Sequence, residues 1–190
     1  MIRSKLAMAE NSKLYLPAAA EEQSPWFALH VRTAAEPKIR DALIQKGHTV
    51  FLPTYLEVRR YSDRLKKIDS ALFPGYMFAR INTANGLPVL TTPGVHGIVC
   101  RSGAPAPVDE SEIEAIRRVI SAGDSAVPWP FLSAGDRVRI IYGPLTGVEG
   151  FLVRFRDKER LVISVNLLQR SLSVEINRSF IKPISVHQNS

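Results

Sequence analysis

The sequence predicts an α+β protein in two parts: a ferredoxin-like antiparallel sheet with helices, followed by a small SH3-like β-barrel. Three observations predict it. Residues 24–122 carry the element order β-α-β-β-β-α, with a minor extra helix, which suits an antiparallel sheet with helices packed mainly on one face. Residues 123–131 hold Gly123, Asp124, Ser125, Pro128 and Pro130, a composition that resists both helix and central strand and so reads as a linker. Residues 132–184 are β-rich with turns at short intervals. About 50 residues are too few for a two-sheet sandwich, and closing a small sheet on itself removes its exposed edges.

The elements of the first part follow in order. Residues 26–31 alternate well enough for a strand. Pro37 suits the first turn of a helix, Ile39 and Leu43 share one of its faces, and Gly47 stops it. Val50 and Phe51 resume extended structure. Residues 55–61 and 72–81 read as two antiparallel strands joined by the polar tip Ser62-Asp63-Arg64-Leu65-Lys66-Lys67. Residues 87–92 suit a short helix and residues 97–101 a further strand, ended by Ser102-Gly103. Asp109 then opens a helix with Glu112 as its capping-box partner. Ile113, Ile116, Val119 and Ile120 form the apolar stripe of that helix. In the second part, residues 137–142, 150–156, 160–166 and 172–176 suit strands. Gly143-Pro144, Asp157-Lys158 and Gln169-Arg170 read as the turns between them.

The chain has 190 residues, 45% of them hydrophobic and 23% charged, as in an ordinary globular protein. No apolar run approaches the roughly 18 residues that span a bilayer. Residues 1–23 mix Arg3, Lys5 and Lys13 with Glu10, Glu21 and Glu22 and read as a flexible arm without a signal peptide; residues 185–190 are a tail. A cytoplasmic location, no membrane and a monomeric state are expected. Cys100 is the single cysteine, which excludes an intramolecular disulfide and a cysteine-based metal cluster and suggests a small buried apolar residue. The net charge of +7 points to a polyanion or an acidic protein surface nearby. It is spread evenly: residues 24–122 hold 13 Lys/Arg against 9 Asp/Glu, and residues 132–184 hold 9 against 5. Neither part is a strongly polarised basic module, which argues against a sequence-specific DNA reader.

Several segments carry a family resemblance in the right order and spacing across about residues 24–184. Trp26-Phe27-Ala28-Leu29-His30-Val31 followed by a helix resembles the opening of the NusG N-terminal domain. Phe73-Pro74-Gly75-Tyr76-Met77-Phe78 resembles that domain's FPGY-type segment, and Pro93-Gly94-Val95 with Ile98-Val99 its later turn and strand. Gly135-Asp136-Arg137-Val138-Arg139-Ile140, Gly143-Pro144-Leu145 and Gly147-Val148-Glu149-Gly150 look like a KOW motif. Val165-Asn166-Leu167-Leu168-Gln169-Arg170 through Val174-Glu175-Ile176 looks like the last strands of that barrel. The resemblance, to the NusG/RfaH family, implies a transcription elongation or antitermination factor. It implies that the first domain receives the clamp helices of the largest RNA polymerase subunit in an apolar depression. The barrel would recruit the termination factor Rho or a small-subunit ribosomal protein.

In a strand, Tyr76 and Phe78 point to one side and Met77 to the other. They are either core residues or an exposed aromatic patch, and an exposed patch would mark a docking surface. By position under the resemblance, Phe27, Leu29, His30, Pro74, Tyr76 and Phe78 are the candidates for the polymerase site, with Leu29 alternatively facing the core. Arg32, Arg59, Arg60, Arg64, Lys66 and Lys67 are either a solvated cluster or a contact to the backbone of DNA or RNA without sequence choice. In the barrel, Gly143, Pro144, Leu145, Phe151, Leu168 and Arg170 are the partner-binding candidates, with core packing open for Phe151 and Leu168. The family's specialised antiterminator RfaH has a His-Thr-Thr segment that touches the polymerase gate loop. Here Asn85-Gly86-Leu87 stands in roughly that place. With the N-terminal arm, this departure suggests a specialised paralogue.

No catalytic chemistry is legible. His30, His48, His96 and His187 have no metal-ligand spacing. Asp109, Glu110, Glu112 and Glu114 are explained by a helix N-terminus that favours negative charge, and no nucleophile elbow or phosphate-binding loop appears. No cofactor, no metal and no enzymatic activity are expected. The competing reading is a KOW-type RNA-binding protein acting on the ribosome.

Overall fold

A nearly continuous apolar run, buried on both faces, makes Trp26–Val31 the strand β1 at the heart of the first sheet. The structure, a computed structural model, describes residues 24–60, 65–82, 87–123, 126–132, 135–155 and 158–184; the arm at 1–23, the tail at 185–190 and Arg64 lie outside them. Helix α1 (Glu36–Gln45) follows with Pro37 in its first turn and with Ile39 and Leu43 buried. Gly47, at φ +92°, ends it in a conformation that glycine adopts without strain. After β2 (Val50–Phe51) come β3 (Thr54–Arg60), β4 (Leu65–Ala71) and β5 (Tyr76–Arg80). Then follow α2 (Leu87–Leu90), β6 (Val95–Ile98), β7 (Cys100–Arg101), β8 (Ala104–Pro105), β9 (Pro107–Val108) and α3 (Glu110–Ser121).

The first sheet has the order β2-β5-β1-β6, with β9 also pairing β1, and its pairings are antiparallel. Strand parity divides its side chains. Phe27, Leu29, Val31, Met77 and Ala79 pack with Ile39 and Leu43 of α1 and Val89 of α2. Trp26, Ala28 and Phe78 pack with Ile113, Ile116 and Val119 of α3. Helices therefore cover both faces, not mainly one.

Four further readings of the first part are corrected. The partner of β3 is β4, paired from Thr54↔Ala71 to Arg60↔Leu65. Leu65, Lys66 and Lys67 are thus strand residues, not a loop tip, and β5 belongs to the main sheet instead. Phe73-Pro74-Gly75 is a turn between β4 and β5: the Tyr76 amide donates to the Phe73 carbonyl at 2.9 Å. Asp109 makes no side-chain cap on α3. Glu112 instead accepts hydrogen bonds from Asn166 across the molecule. Cys100 is exposed rather than buried, because the short β7–β8 hairpin stands apart from the main sheet.

The second sheet has the order β10-β14-β13-β12-β11-β15. Its strands are β10 (Val127–Trp129), β11 (Asp136–Ile140), β12 (Glu149–Phe155), β13 (Lys158–Val165), β14 (Arg170–Glu175) and β15 (Ile181–Pro183). β10 falls inside the expected linker. It lies at the edge of the sheet, where a proline such as Pro128 is tolerated. Residues 131–132 then lie on the sheet as well: the Ser164 hydroxyl donates to the Leu132 carbonyl at 2.5 Å, and the Leu132 amide donates to Ser171 Oγ at 3.2 Å. Tight turns use Gly143 and Gly147 at positive φ and Gln169 at φ +51°.

The two parts share one apolar cluster that runs from Trp26 and Phe78 through Ile113 and Ile116 to Val138, Val148, Leu161 and Ile163. Polar bonds cross the same seam. Asn166 Nδ2 donates to Glu112 Oε1 at 2.7 Å. Arg118 donates to the Thr146 carbonyl at 3.0 Å. The described architecture is mixed α/β, with several antiparallel sheets and few helices.

Candidate functional site

Parity and helix placement decide which aromatic side chains reach the surface of the first sheet. Along β1 and β5 the register runs from Trp26↔Arg80 at one end to His30↔Tyr76 at the other. The Trp26 end is closed. The Trp26 indole donates to Glu110 Oε1 at 3.1 Å, and Arg80 pairs with the same carboxylate at 2.7 Å. The guanidinium carbons of Arg80 and Arg117 lie 4.7 and 4.9 Å from the Trp26 ring centre, within the range of cation–π attraction. Arg117 also lies 5.2 Å from the Phe51 ring. These contacts seat α3 over the Trp26–Arg80 end.

The opposite end is open. Its shape comes from the Phe73-Pro74-Gly75-Tyr76 turn. Gly75 holds φ +80°. Its amide donates to Glu36 Oε1 at 2.9 Å, and its carbonyl accepts from the Val31 amide at 2.8 Å. The turn is therefore tied both to β1 and to a buried carboxylate at the start of α1. It carries exposed Pro74 and half-buried Tyr76. The Tyr76 ring lies 5.3 Å from that of His30, and His30 lies 5.1 Å from His96. His30 and His96 are both exposed. Together with Pro74 they form a small aromatic and imidazole surface where β1, β5 and β6 meet.

Of the candidates proposed from sequence, His30, Pro74 and Tyr76 come together here. Phe27, Leu29 and Phe78 do not. All three are buried, Phe27 and Leu29 against α1 and Phe78 under α3, so none lines a surface recess. His96 was missed. Its place beside His30 depends on the pairing of β6 with β1, which periodicity does not reveal.

The basic candidates lie on two elements. Arg32 is exposed just beyond β1. Arg59, Arg60, Lys66 and Lys67 are exposed on the β3–β4 ribbon. Arg59 pairs with Glu57 at 3.0 Å, and the Glu57 carboxyl is held below its usual range first by that bond and then by Ser70.

In the second sheet, Gly143, Pro144 and Arg170 are exposed and Phe151 is half-buried. Leu145 is buried in the shared core, which corrects its placement at a contact surface, and buried Leu168 takes the core alternative. The β11–β12 loop instead presents Ile141 and Tyr142, both exposed, with the Tyr142 ring 5.4 Å from that of Phe180 and tilted against it. Four cations of this part pair with carboxylates: Arg137 and Arg139 with Glu149, Lys158 with Glu175, Arg178 with Glu159.

Comparison with known proteins adds to this geometry. Residues 24–117 match the family model described as Transcription termination factor nusG. The transcription termination/antitermination protein NusG of Pseudomonas aeruginosa is 27% identical over 173 residues, covering 84% of this chain and 98% of the relative. The protein of the same name from Lactococcus lactis is 26% identical over 174 residues, covering 84% and 92%. A solved structure describing domain interaction in Thermotoga maritima NusG aligns with a TM-score of 0.53 and 21% identity, over 87% of this chain and 99% of that one. At that identity the likeness is one of fold. No helix among the described residues is long and apolar enough to cross a membrane.

Proposed function

We propose, from the premise that residues 24–117 are a NusG domain in a chain homologous to NusG along most of its length, that this protein is a transcription elongation and antitermination factor. It docks on the clamp helices of the largest RNA polymerase subunit through the His30–Tyr76 end of its first sheet. The observation that carries the reading is the open end itself: exposed His30, Pro74 and His96 around half-buried Tyr76, beyond the reach of α3. Tyrosine serves such a role well. Its flat ring buries a large area at small entropic cost, and its hydroxyl keeps a hydrogen bond in a part-wet interface.

The mechanism needs no covalent step. A ligand that binds the closed clamp better than the open one shifts the population toward closure by its differential affinity. Closure disfavours pausing. Exposed Arg32 and Lys66 supply charge for backbone phosphates of nearby nucleic acid, without reading sequence. The second part engages Rho or a small-subunit ribosomal protein through the tip formed by Ile141, Tyr142, Gly143 and Pro144, with Arg170 as a further contact. The pairing of Arg137, Arg139, Lys158 and Arg178 with carboxylates weighs against the ribosomal-RNA alternative at those four positions, since a paired cation offers less to a phosphate.

The test is binding of the full chain to purified core RNA polymerase. Tyr76→Ala and His30→Ala are each expected to weaken binding by about tenfold or more while the circular dichroism spectrum is unchanged. Binding of Tyr76→Ala as tight as wild type, with the fold intact, refutes the assignment of this end. Binding to ribosomal RNA that is stronger than to polymerase and falls steeply with salt favours the alternative.

A further inference from the structure

The β3–β4 ribbon is an unusual element because, among the described residues, its two strands pair only with each other. Each strand is seven residues long. In antiparallel pairing, directly opposed residues share a face, so the register sorts the side chains into two sets. Tyr55, Glu57 and Arg59 lie opposite Ser70, Ile68 and Lys66. That face is largely occupied within the chain. Tyr55 packs on the core, Glu57 accepts from Arg59 and Ser70, and Ile68 is half-buried.

The other face carries Leu56, Val58 and Arg60 opposite Asp69, Lys67 and Leu65. Here Leu56 is 58%, Val58 55% and Leu65 70% exposed. These are three of the large aliphatic side chains that the described residues leave in solvent, and they occupy three successive rungs of one face. With roughly 7 Å between same-side residues, they make a continuous stripe. Asp69, Lys67 and Arg60 border it, and all three are exposed. The ribbon's described ion pair, Glu57 with Arg59, lies on the opposite face.

Resting on the proposed function above, we propose that the Leu56–Val58–Leu65 face of this ribbon is a second protein contact, seated on a polymerase surface that offers apolar side chains flanked by carboxylates. Chemistry favours protein over nucleic acid as the occupant. A phosphate backbone gains nothing from three aliphatic groups, and Asp69 on the same face repels it. An apolar partner dehydrates the stripe, and its carboxylates match Arg60 and Lys67. The ribbon is then two-sided, with Lys66 on the opposite face left for nucleic acid and the aliphatic face, with Arg60 and Lys67, for protein.

The test places a photo-crosslinking benzoylphenylalanine at position 58 of the full chain, bound to a reconstituted elongation complex of core polymerase, DNA and RNA. Binding is measured in parallel for Leu56→Thr with Val58→Thr and Leu65→Thr, since threonine keeps strand propensity. Crosslinking to a polymerase subunit, with at least about tenfold weaker binding of the triple variant at an unchanged melting temperature, is the expected result. Crosslinking to DNA, or triple-variant binding equal to wild type, overturns the inference while leaving the clamp reading intact. Absence of wild-type binding overturns both. Should the triple variant fail to fold, the crosslink in the otherwise wild-type chain decides alone.

Discussion

Phe78 and Tyr76 lie two residues apart on the same side of β5, and the structure gives them opposite jobs. Phe78 is fully buried. Its ring stands 6.0 Å from Phe73, nearly perpendicular, and 6.1 Å from Phe51, stacked. Phe78→Ala removes those contacts and leaves a cavity between the sheet and α3, a loss of about 3–5 kcal/mol. Domains of this size are stable by only about 5–15 kcal/mol. With about 2–4 °C of melting temperature per kcal/mol at this size, the variant should melt lower by roughly 6–20 °C. Tyr76→Ala, at a half-exposed strand end, should cost about 1 kcal/mol and lower the melt by only about 2–4 °C. Thermal unfolding of the full chain by circular dichroism, with amide exchange at β5 as a local probe, separates the two. A Phe78→Ala melt within about 2 °C of wild type would refute the packing of α3 on this face. The pair also sets a rule for binding studies: lost polymerase affinity in Phe78→Ala reports unfolding, not an interface.

Three other outcomes follow from the geometry. A Cβ at Gly150 would sit 2.4 Å from the Val162 carbonyl oxygen and 3.1 Å from Leu161 Cδ1, so Gly150→Ala must push β12 off β13; a loss of about 1–3 kcal/mol or more is expected in urea denaturation. Arg117→Ala removes a guanidinium from the faces of both Trp26 and Phe51 and is expected to lower stability by about 1–2 kcal/mol in the same assay, with Lys restoring only part. Burial raises the Glu112 carboxyl above its ordinary value of 4.5, against the lowering effect of its bonds from Asn166. Its folded form then binds more protons than its unfolded form just above that value. The seam between the two parts should therefore be strongest at acid pH and weaken as pH rises through that window. Glu112→Gln should flatten the dependence, measured as unfolding midpoint against pH, and a dependence of opposite sign counts against the burial of this group.

The helices were the legible part of the fold, because their signals are local. Pro37, Ile39, Leu43 and Gly47 bound and orient α1, and the Ile113, Ile116 and Val119 stripe identifies the buried side of α3. The ribbon was misread for a physical reason. Leu65-Lys66-Lys67 looks like a loop tip because a strand exposed on one face and short of core contact on the other has no burial pattern to impose on its sequence. Val127-Pro128-Trp129 was misread because proline argues against a central strand but not against an edge strand, and position within the sheet is a tertiary property. The expected cap between Asp109 and Glu112 gave way to a cross-molecule bond to Asn166, which no local pattern encodes.

The candidate site shows the same boundary more sharply. Alternation told correctly that Tyr76 and Phe78 share a side. It could not say which side a helix covers, or how far along the strand the cover extends. That is set by where α3 is anchored, and the anchors are long-range: Glu110 to Trp26 and Arg80, and Arg117 over Trp26 and Phe51. All of them lie toward the Trp26–Arg80 end of the β1–β5 pair. Because α3 is held there, residues at the middle of β5 become core while residues at the His30–Tyr76 end remain available to a partner. Exposure on this sheet is therefore a question of distance along the strand from Trp26, and a docking residue is found by reading that distance after parity has chosen the face.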